Sequence, residues 1–388
     1  MSPDRFNLVM GVAIALDALV AGAALWLVRE KAAQRAVITL PRLMMAVIAA
    51  GLIFVIKSRV LVDLGIDVFG LIYAAYIDLV IVVPLIAMAM LVIERSWRGG
   101  EPNPRFRLTR AVRAVSVLSM ILMPLAGIYA THIEPFRLKL EQATVPVSAH
   151  RAGAETIRIG VLADLQTSNV SDHERNAVAR LMAESPDIIL IPGDLLQAGS
   201  ENYEQQLAAV REILGTLHAP GGVYFAPGDC EAFGDGRDLV HGLPIVHLHN
   251  KIARFKLRDR SIAIGGLELD CKSHEALQTI KRLENDPTED EIRILMSHRP
   301  DSALALTPHS RIDLIVAGHT HGGQVQIPFI GPLITFSKVP RSIAAGGLHE
   351  MNGNLMYVSR GLGWEHGQAP RIRFLCPPEI SMLTLTAN

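Results

Sequence analysis

Cysteine is nearly absent from this sequence: Cys230, Cys271 and Cys376 are the only three in 388 residues. They have no metal-knuckle spacing, an odd number cannot all pair within one chain, and they do not fix the redox compartment. An excess of charge is missing too. Lys+Arg number 37 against Asp+Glu 38, a net charge of -1, so no basic field points to nucleic acid and none is expected as a partner. No A-x-A-like cleavage site with a polar chain behind it follows the first apolar run, and three more apolar runs come after it, so it is read as a retained helix rather than a removable signal peptide. No internal repeat is visible. Apolar residues are what the chain has in excess, 50% of the total with a mean hydropathy of +0.30, too much for an ordinary soluble enzyme.

The excess is concentrated before residue 134. Four apolar runs, 8–28, 43–56, 68–93 and 114–133, form an expected transmembrane bundle over 1–134. Three come near or exceed the roughly 20 residues that a span needs. The second is short, bounded by Arg42 and Lys57, and is expected to cross with those long side chains snorkelling. Asp17 and Asp78 lie inside spans, where a carboxylate implies a polar contact or a functional site facing the bundle interior. Arg29, Lys31, Arg35 and Arg42 fill the first loop, and Arg95, Arg98, Arg105, Arg107 and Arg110 the third. The positive-inside rule puts those loops in the cytoplasm, giving a multi-pass inner (plasma) membrane protein whose remaining chain is periplasmic. Residues 135–155, with Pro135, Pro146 and little periodicity, read as a linker, and 156–388 as a catalytic domain.

In that second part, short β-rich runs each end in a loop holding a carboxylate or histidine: IRIGVLAD, DIILIPGD, GVYFAPGD, IRILMSH and IDLIVAGHTH. In a layered α/β fold the carboxyl ends of neighbouring strands converge on one crevice, which would gather Asp164, Asp194, Asp229, His298, His319 and His321. Carboxylates and imidazoles together suit Mn, Fe or Zn, and a pair of ions bridged by one carboxylate suits phosphoryl transfer.

The order of these motifs resembles the calcineurin-like metallophosphoesterases, whose pattern is D-x-H, G-D, G-N-H-[DE], a lone His, then G-H-x-H. The resemblance runs from Ile157 to the C-terminus. GHTHGGQ at 318–324, YVSRGLG at 357–363 and the PPEISMLTL tail look like the membrane-bound bacterial branch. It implies an αββα layered sandwich after the helical bundle, with two divalent ions. Asp164 and His321 would hold the first ion, Asp194 would bridge, His298 and His319 would hold the second, and Asp229 takes the place of the family's Asn ligand.

Two positions depart from the pattern. Gln166 stands at a ligating His, a poorer ligand that leaves occupancy of the first site open and favours Mg or Mn there. Cys230 replaces the His of G-N-H, and a thiol is a poor general acid unless tuned; a soft metal ligand or a disulfide with Cys271 are its other readings. Asp194, Cys230 and His298 are the candidate catalytic residues, and the candidate ligands are Asp164, Gln166, Asp194, Asp229, His298, His319 and His321. Arg341 and Arg360 are candidates for phosphate contact. His173, His241, His247, His249 and His274 read as surface or strand residues. The expected activity is hydrolysis of a phosphodiester or diphosphate by a metal-bridging hydroxide, on a phosphorylated, lipid-associated substrate. UDP-diacylglucosamine is one substrate that the resemblance implies. The competing expectation is a catalytically impaired metal- or phosphate-binding membrane module.

Overall fold

The computed structural model describes residues 2–30, 36–96, 106–153, 155–232, 234–286, 288 and 290–387. The chain divides into two compact units, Met1–Thr131 with Glu365–Arg371, and His132–Trp364 with Ile372–Asn388.

The first unit is helical: α1 (Pro3–Glu30), α2 (Leu40–Asp63), α3 (Val68–Ile77), α4 (Val83–Ser96) and α5 (Arg110–Ile128). A π-helical turn, Asp78–Val82, joins α3 to α4. Pro84 follows at once; it has no N–H for the Val80 carbonyl, and the wider turn absorbs the mismatch. Among the described residues four helical segments are long and apolar enough to cross a membrane, Asp4–Ala23, Leu40–Asp63, Val68–Arg95 and Arg110–Phe136. The short second run is therefore part of a full-length helix: Pro41 starts it, where a missing N–H costs nothing, and two turns follow Ile56.

Lys57 lies inside that helix and does not snorkel. Its ammonium bonds Asp17 of α1 and, at 3.1 Å, Asp78 at the π turn. The two carboxylates that looked isolated share one counter-ion, drawn from three helices. Replacing Lys57 with Met leaves both carboxylates without it in apolar surroundings, at about 3 kcal/mol per charge. A severalfold fall in folded chain recovered from membranes is expected, reversed when Asp17 and Asp78 are changed to Asn as well.

Short strands in the first and third loops, Ala36–Ile38 and Phe106–Leu108, pair in parallel, which puts the two loops at one end of the bundle. Of the basic residues counted for orientation, Lys31, Arg35, Arg98 and Arg105 lie outside the described residues.

The second unit is built on two six-stranded sheets. Its strands are β1 (Lys139–Val147), β2 (Ile157–Val161), β3 (Ile188–Ile191), β4 (Val223–Phe225), β5 (Ile245–His247), β6 (Lys251–Leu257), β7 (Arg260–Gly266), β8 (Glu291–Met296), β9 (Leu314–Ala317), β10 (Gly347–Met351), β11 (Asn354–Val358) and β12 (Glu379–Ala387). One sheet runs β1-β12-β2-β3-β4-β5 and the other β10-β11-β9-β8-β7-β6. The strands carrying the chemistry, β2-β3-β4 and β8-β9, are parallel to their neighbours within each run.

Strand residues alternate between two buried faces, as parallel strands covered on both sides must. Ile188 and Leu190 face the core shared with Ile294 and Val316 of the other sheet. Ile189 and Ile191 pack on the opposite side, against helix α6 (Asp172–Ala183) and helix α7 (Tyr203–Leu214). Helix α8 (His274–Glu284) covers the outer face of the second sheet through Ala276, Ile280 and Leu283. The layering is αββα.

The segment read as a linker contains β1, so its central stretch, Lys139–Val147, belongs to the sheet. Its strand lies at the sheet edge, where Pro146 removes no hydrogen bond that the sheet needs; this is why its proline and poor alternation resembled a tether.

Candidate metal centre

Each ligand-bearing loop leaves the carboxyl end of a parallel strand. Asp164 follows β2 by three residues, Asp194 follows β3 by three, His298 follows β8 by two and His319 follows β9 by two. The loops turn so sharply that several site residues have left-handed backbones: Asp164 at φ 46°, Gln166 at 35°, Asp194 at 55°, His319 at 69° and His321 at 47°. Such conformations cost of order 1–3 kcal/mol each and persist only where surrounding contacts fix them. Here they do. Asp164 N donates to Gly193 O at 3.1 Å and Gln166 N to Asp194 O at 2.8 Å, while His319 N donates to the Asp164 carboxylate at 3.0 and 3.1 Å. Glycine is required at closest approach: a methyl group on Gly228 would come within 2.3 Å of Asp194 Oδ1.

Two groups of ligand atoms result, each mutually within 4.8 Å: Asp164, Asp194 and His298, and Asp229, His298 and His319. His298 belongs to both. Its Nδ1 is 2.8 Å from Pro192 O, to which it donates. That leaves Nε2 3.2 Å from Asp229 Oδ2 and 3.4 Å from Asp194 Oδ2. A neutral ring held this way aims its lone pair at two carboxylate oxygens, a conflict that a cation removes.

The electrostatics agree. Burial opposes charge on His298, but Asp194, Asp229 and Asp164 overcome it and lift the imidazole to about 10. Asp164, fully buried and beside Asp194, is pushed up to about 7 despite His298. This donor set fits divalent ions, and a proton on His298 is the poorer substitute.

Asp229 carries a charge where an Asn was expected, and its neutralisation is local. Arg299 bonds both of its oxygens, Nε at 3.3 Å from Oδ2, and His319 Nδ1 is 2.9 Å from Oδ2. Burial alone would raise the Asp229 carboxyl; His298, His319 and Arg299 hold it far below the usual carboxylate range.

The other expected residues are placed differently. Gln166 donates its amide to Gln197 Oε1 at 2.9 Å. His321 is buried beside Arg373, whose Nη2 is 3.4 Å from its Nδ1, and it is in neither group. Cys230 is half-buried, and its backbone N–H donates to Asp194 Oδ1 at 2.8 Å. None of Cys230, Cys271 and Cys376 is in a disulfide, so the disulfide reading of Cys230 and Cys271 does not hold. Arg360 pairs with Glu141 and Glu379 instead of facing the ligands. His247 and His249 form a separate group with Asp235, closed by Arg237 and Glu268.

Over 270 residues the chain is 30% identical to the uncharacterized metallophosphoesterase YkuE of Bacillus subtilis, covering 67% of this chain and 90% of that one. The chain belongs to the calcineurin-like metallophosphoesterase family. The family model for calcineurin-like phosphoesterase matches residues 157–323, from β2 through the GHTHGG loop. A transmembrane protein with metallophosphoesterase domain from Danio rerio is 25% identical over 265 residues, 64% of this chain and 58% of that one. Phosphodiesterase YaeI of Escherichia coli is 34% identical over 93 residues, 24% of this chain and 32% of that one. This metallophosphoesterase is thus a metal-dependent phosphoester hydrolase that carries four helices long and apolar enough to cross a membrane.

Three residues that position the metallophosphoesterase's ligands were not singled out from sequence. Glu231 accepts from Asp194 N at 2.9 Å, Leu195 N at 2.8 Å and Gly228 N at 2.7 Å. It ties together both G-D loops, and burial beside Asp194 pushes its carboxyl up to about 7. The signal was present, because Glu231 occupies the [DE] of G-N-H-[DE]. Arg299, next to His298, and Arg373, far along the chain, had no motif to mark them.

Proposed function

We infer that this metallophosphoesterase is anchored in the inner membrane by its four apolar helices and cleaves a phosphodiester or diphosphate bond in a lipid-associated substrate on the periplasmic side. The observation that carries the chemistry is the convergence of three carboxylates and two imidazoles around His298. Asp164 and Asp194 would hold one ion, with Gln166 and His321 as the remaining family ligand positions there, and Asp194, Asp229, His298 and His319 would hold the other. Divalent ions bound there would supply Lewis acidity to the phosphoryl oxygens and acidify the attacking water. The protein's own part is to orient: Pro192 fixes the His298 tautomer, Glu231 and Cys230 N fix Asp194, and Arg299 offsets the Asp229 charge.

The paired strands of the first and third loops support the four-crossing arrangement, since both basic loops then share the cytoplasmic side. UDP-diacylglucosamine matches the diphosphate chemistry but is expected on the cytoplasmic face, so a lipid-linked diphosphate of the outer face fits this orientation better.

With a thiol at Cys230 in place of the imidazole that assists departure, the leaving group decides the rate. A phosphate or aryloxide hardly needs a proton, whereas an alkoxide does. The full chain in nanodiscs with Mn should turn over a lipid-linked diphosphate or a bis-aryl phosphodiester at least about 100-fold faster than an alkyl phosphodiester. Equal rates would remove the leaving-group argument. A second reading, a metal-binding module without turnover, is motivated by Gln166 and Cys230 standing where the family pattern has histidines; bound Mn with no hydrolysis of any of the three substrates would establish it.

A further inference from the structure

Immediately after the GHTHGG loop the chain makes a small hairpin, Gln326–Ile327 paired with Gly331–Pro332. From Val325 to Phe336 it contains no charged residue. Its large side chains point to solvent: Phe329 is fully exposed at 108%, with Ile330 at 59%, Leu333 at 55% and Phe336 at 51%. Single exposed apolar residues are ordinary, but a run of them on one projecting loop marks a contact surface.

The base of the hairpin is held firmly. Gln326 N donates to Phe374 O at 2.9 Å, Phe374 N to Gln324 O at 2.8 Å, and the Gln326 amide to Gly322 O and Ala345 O at 3.1 and 2.9 Å. Its far end returns to the metal centre, where Phe336 O is 3.4 Å from His319 Nε2. Lys338 and Arg341, both exposed, follow directly.

We propose that this hairpin inserts its apolar tip into the interface of an anionic lipid bilayer, with Lys338 and Arg341 meeting lipid phosphates, so that substrate headgroups are presented at the His319 side of the metal centre. The inference rests on the reading that the helices span a membrane. Two observations favour a bilayer over a protein partner. Only residues 134–138 separate the helical end Tyr129–Ile133 from β1, so the catalytic unit is tethered to the last apolar helix by a reach of about 20 Å at full extension. Apolar tip and cationic flank are the combination that holds monotopic elements at anionic interfaces.

The test uses the full chain in liposomes with Phe329→Trp, a substitution at a fully exposed position. Lipids brominated near the headgroup should quench tryptophan emission of the variant beyond that of the wild type, while aqueous iodide should not. Iodide quenching without bromolipid quenching would overturn the proposal, and so would protection from both, which would mean a protein or a second copy covers the tip. Carbonate-resistant sedimentation of the wild-type chain reports membrane anchoring separately. In the same liposomes, Phe329→Asp with Ile330→Asp should raise KM for a bilayer-borne diphosphate about tenfold and leave turnover of a soluble aryl diester unchanged. Bromolipid quenching with an unchanged KM would uphold the insertion and sink the lipid-substrate reading.

Discussion

Asp194→Asn is expected to lower metal-dependent hydrolysis on the order of 10³-fold and, at the same time, to leave the metal-free protein as stable as the wild type or more so. Both effects come from one oxygen. Asp194 Oδ1 is committed to Cys230 N at 2.8 Å, so an asparagine that keeps this bond turns its NH₂ toward His298 Nε2, where the carboxylate oxygen stood at 3.4 Å. A donor there cannot ligate an ion, and the charge common to both halves of the site is gone. Without metal, Asp194 is also the negative neighbour that raises Asp164 and Glu231, so neutralising it relieves two buried repulsions, set against the loss of one attraction to His298. Steady-state assay with Mn, together with melting curves with and without Mn, reads both. Retained turnover would show that Asp194 does not join the two ligand groups. A collapse of the metal-free melting temperature would mean the substitution acts on folding alone.

Arg373→Met is expected to destabilise the catalytic unit by about 3–5 kcal/mol, the scale for removing one partner from a buried charged network. Arg373 is fully buried. It donates to Gly363 O at 3.0 Å, Cys376 O at 3.2 Å, Arg360 O at 2.8 Å and Gly361 O at 3.1 Å. Three of those carbonyls, on Arg360, Gly361 and Gly363, belong to the loop whose Gly363 N donates to Asp164 O at 2.7 Å, so the loss propagates to a ligand. Arg373→Lys should recover little, because one ammonium cannot replace a planar fork reaching four carbonyls. Urea unfolding of the full chain in detergent measures the difference; a shift below about 1 kcal/mol for either variant would show that the loop is held by other contacts.

How far the sequence speaks for itself follows from the range of the interactions concerned. Asp164, Asp194, His298 and His319 were legible because each follows a short β-rich run within a few residues, and strand ends and sharp turns are local properties. Glu231 was half legible, inside a motif that names its position but not its three backbone partners. Arg299 and Arg373 were not, since their roles depend on which loops the sheets bring together. The second helix, expected to cross, was read too short for a related reason. A lysine ends an apolar run by composition, yet in space Lys57 meets Asp17 from the preceding helix and Asp78 from the following one. The edge strand β1 was hidden by its own Pro146, harmless only because no strand pairs beyond it.

The Lys57 arrangement also constrains how the chain is made. As synthesis proceeds, α2 emerges with a cation that α1 can satisfy through Asp17, but the second carboxylate, Asp78, is still twenty-one residues from Lys57. A two-helix intermediate therefore holds its charge against a single partner, and adding the third span completes the triad. The first three spans should leave the insertion machinery as a group, and truncation before Asp78 should yield a product that quality-control proteases remove faster than one ending after α4.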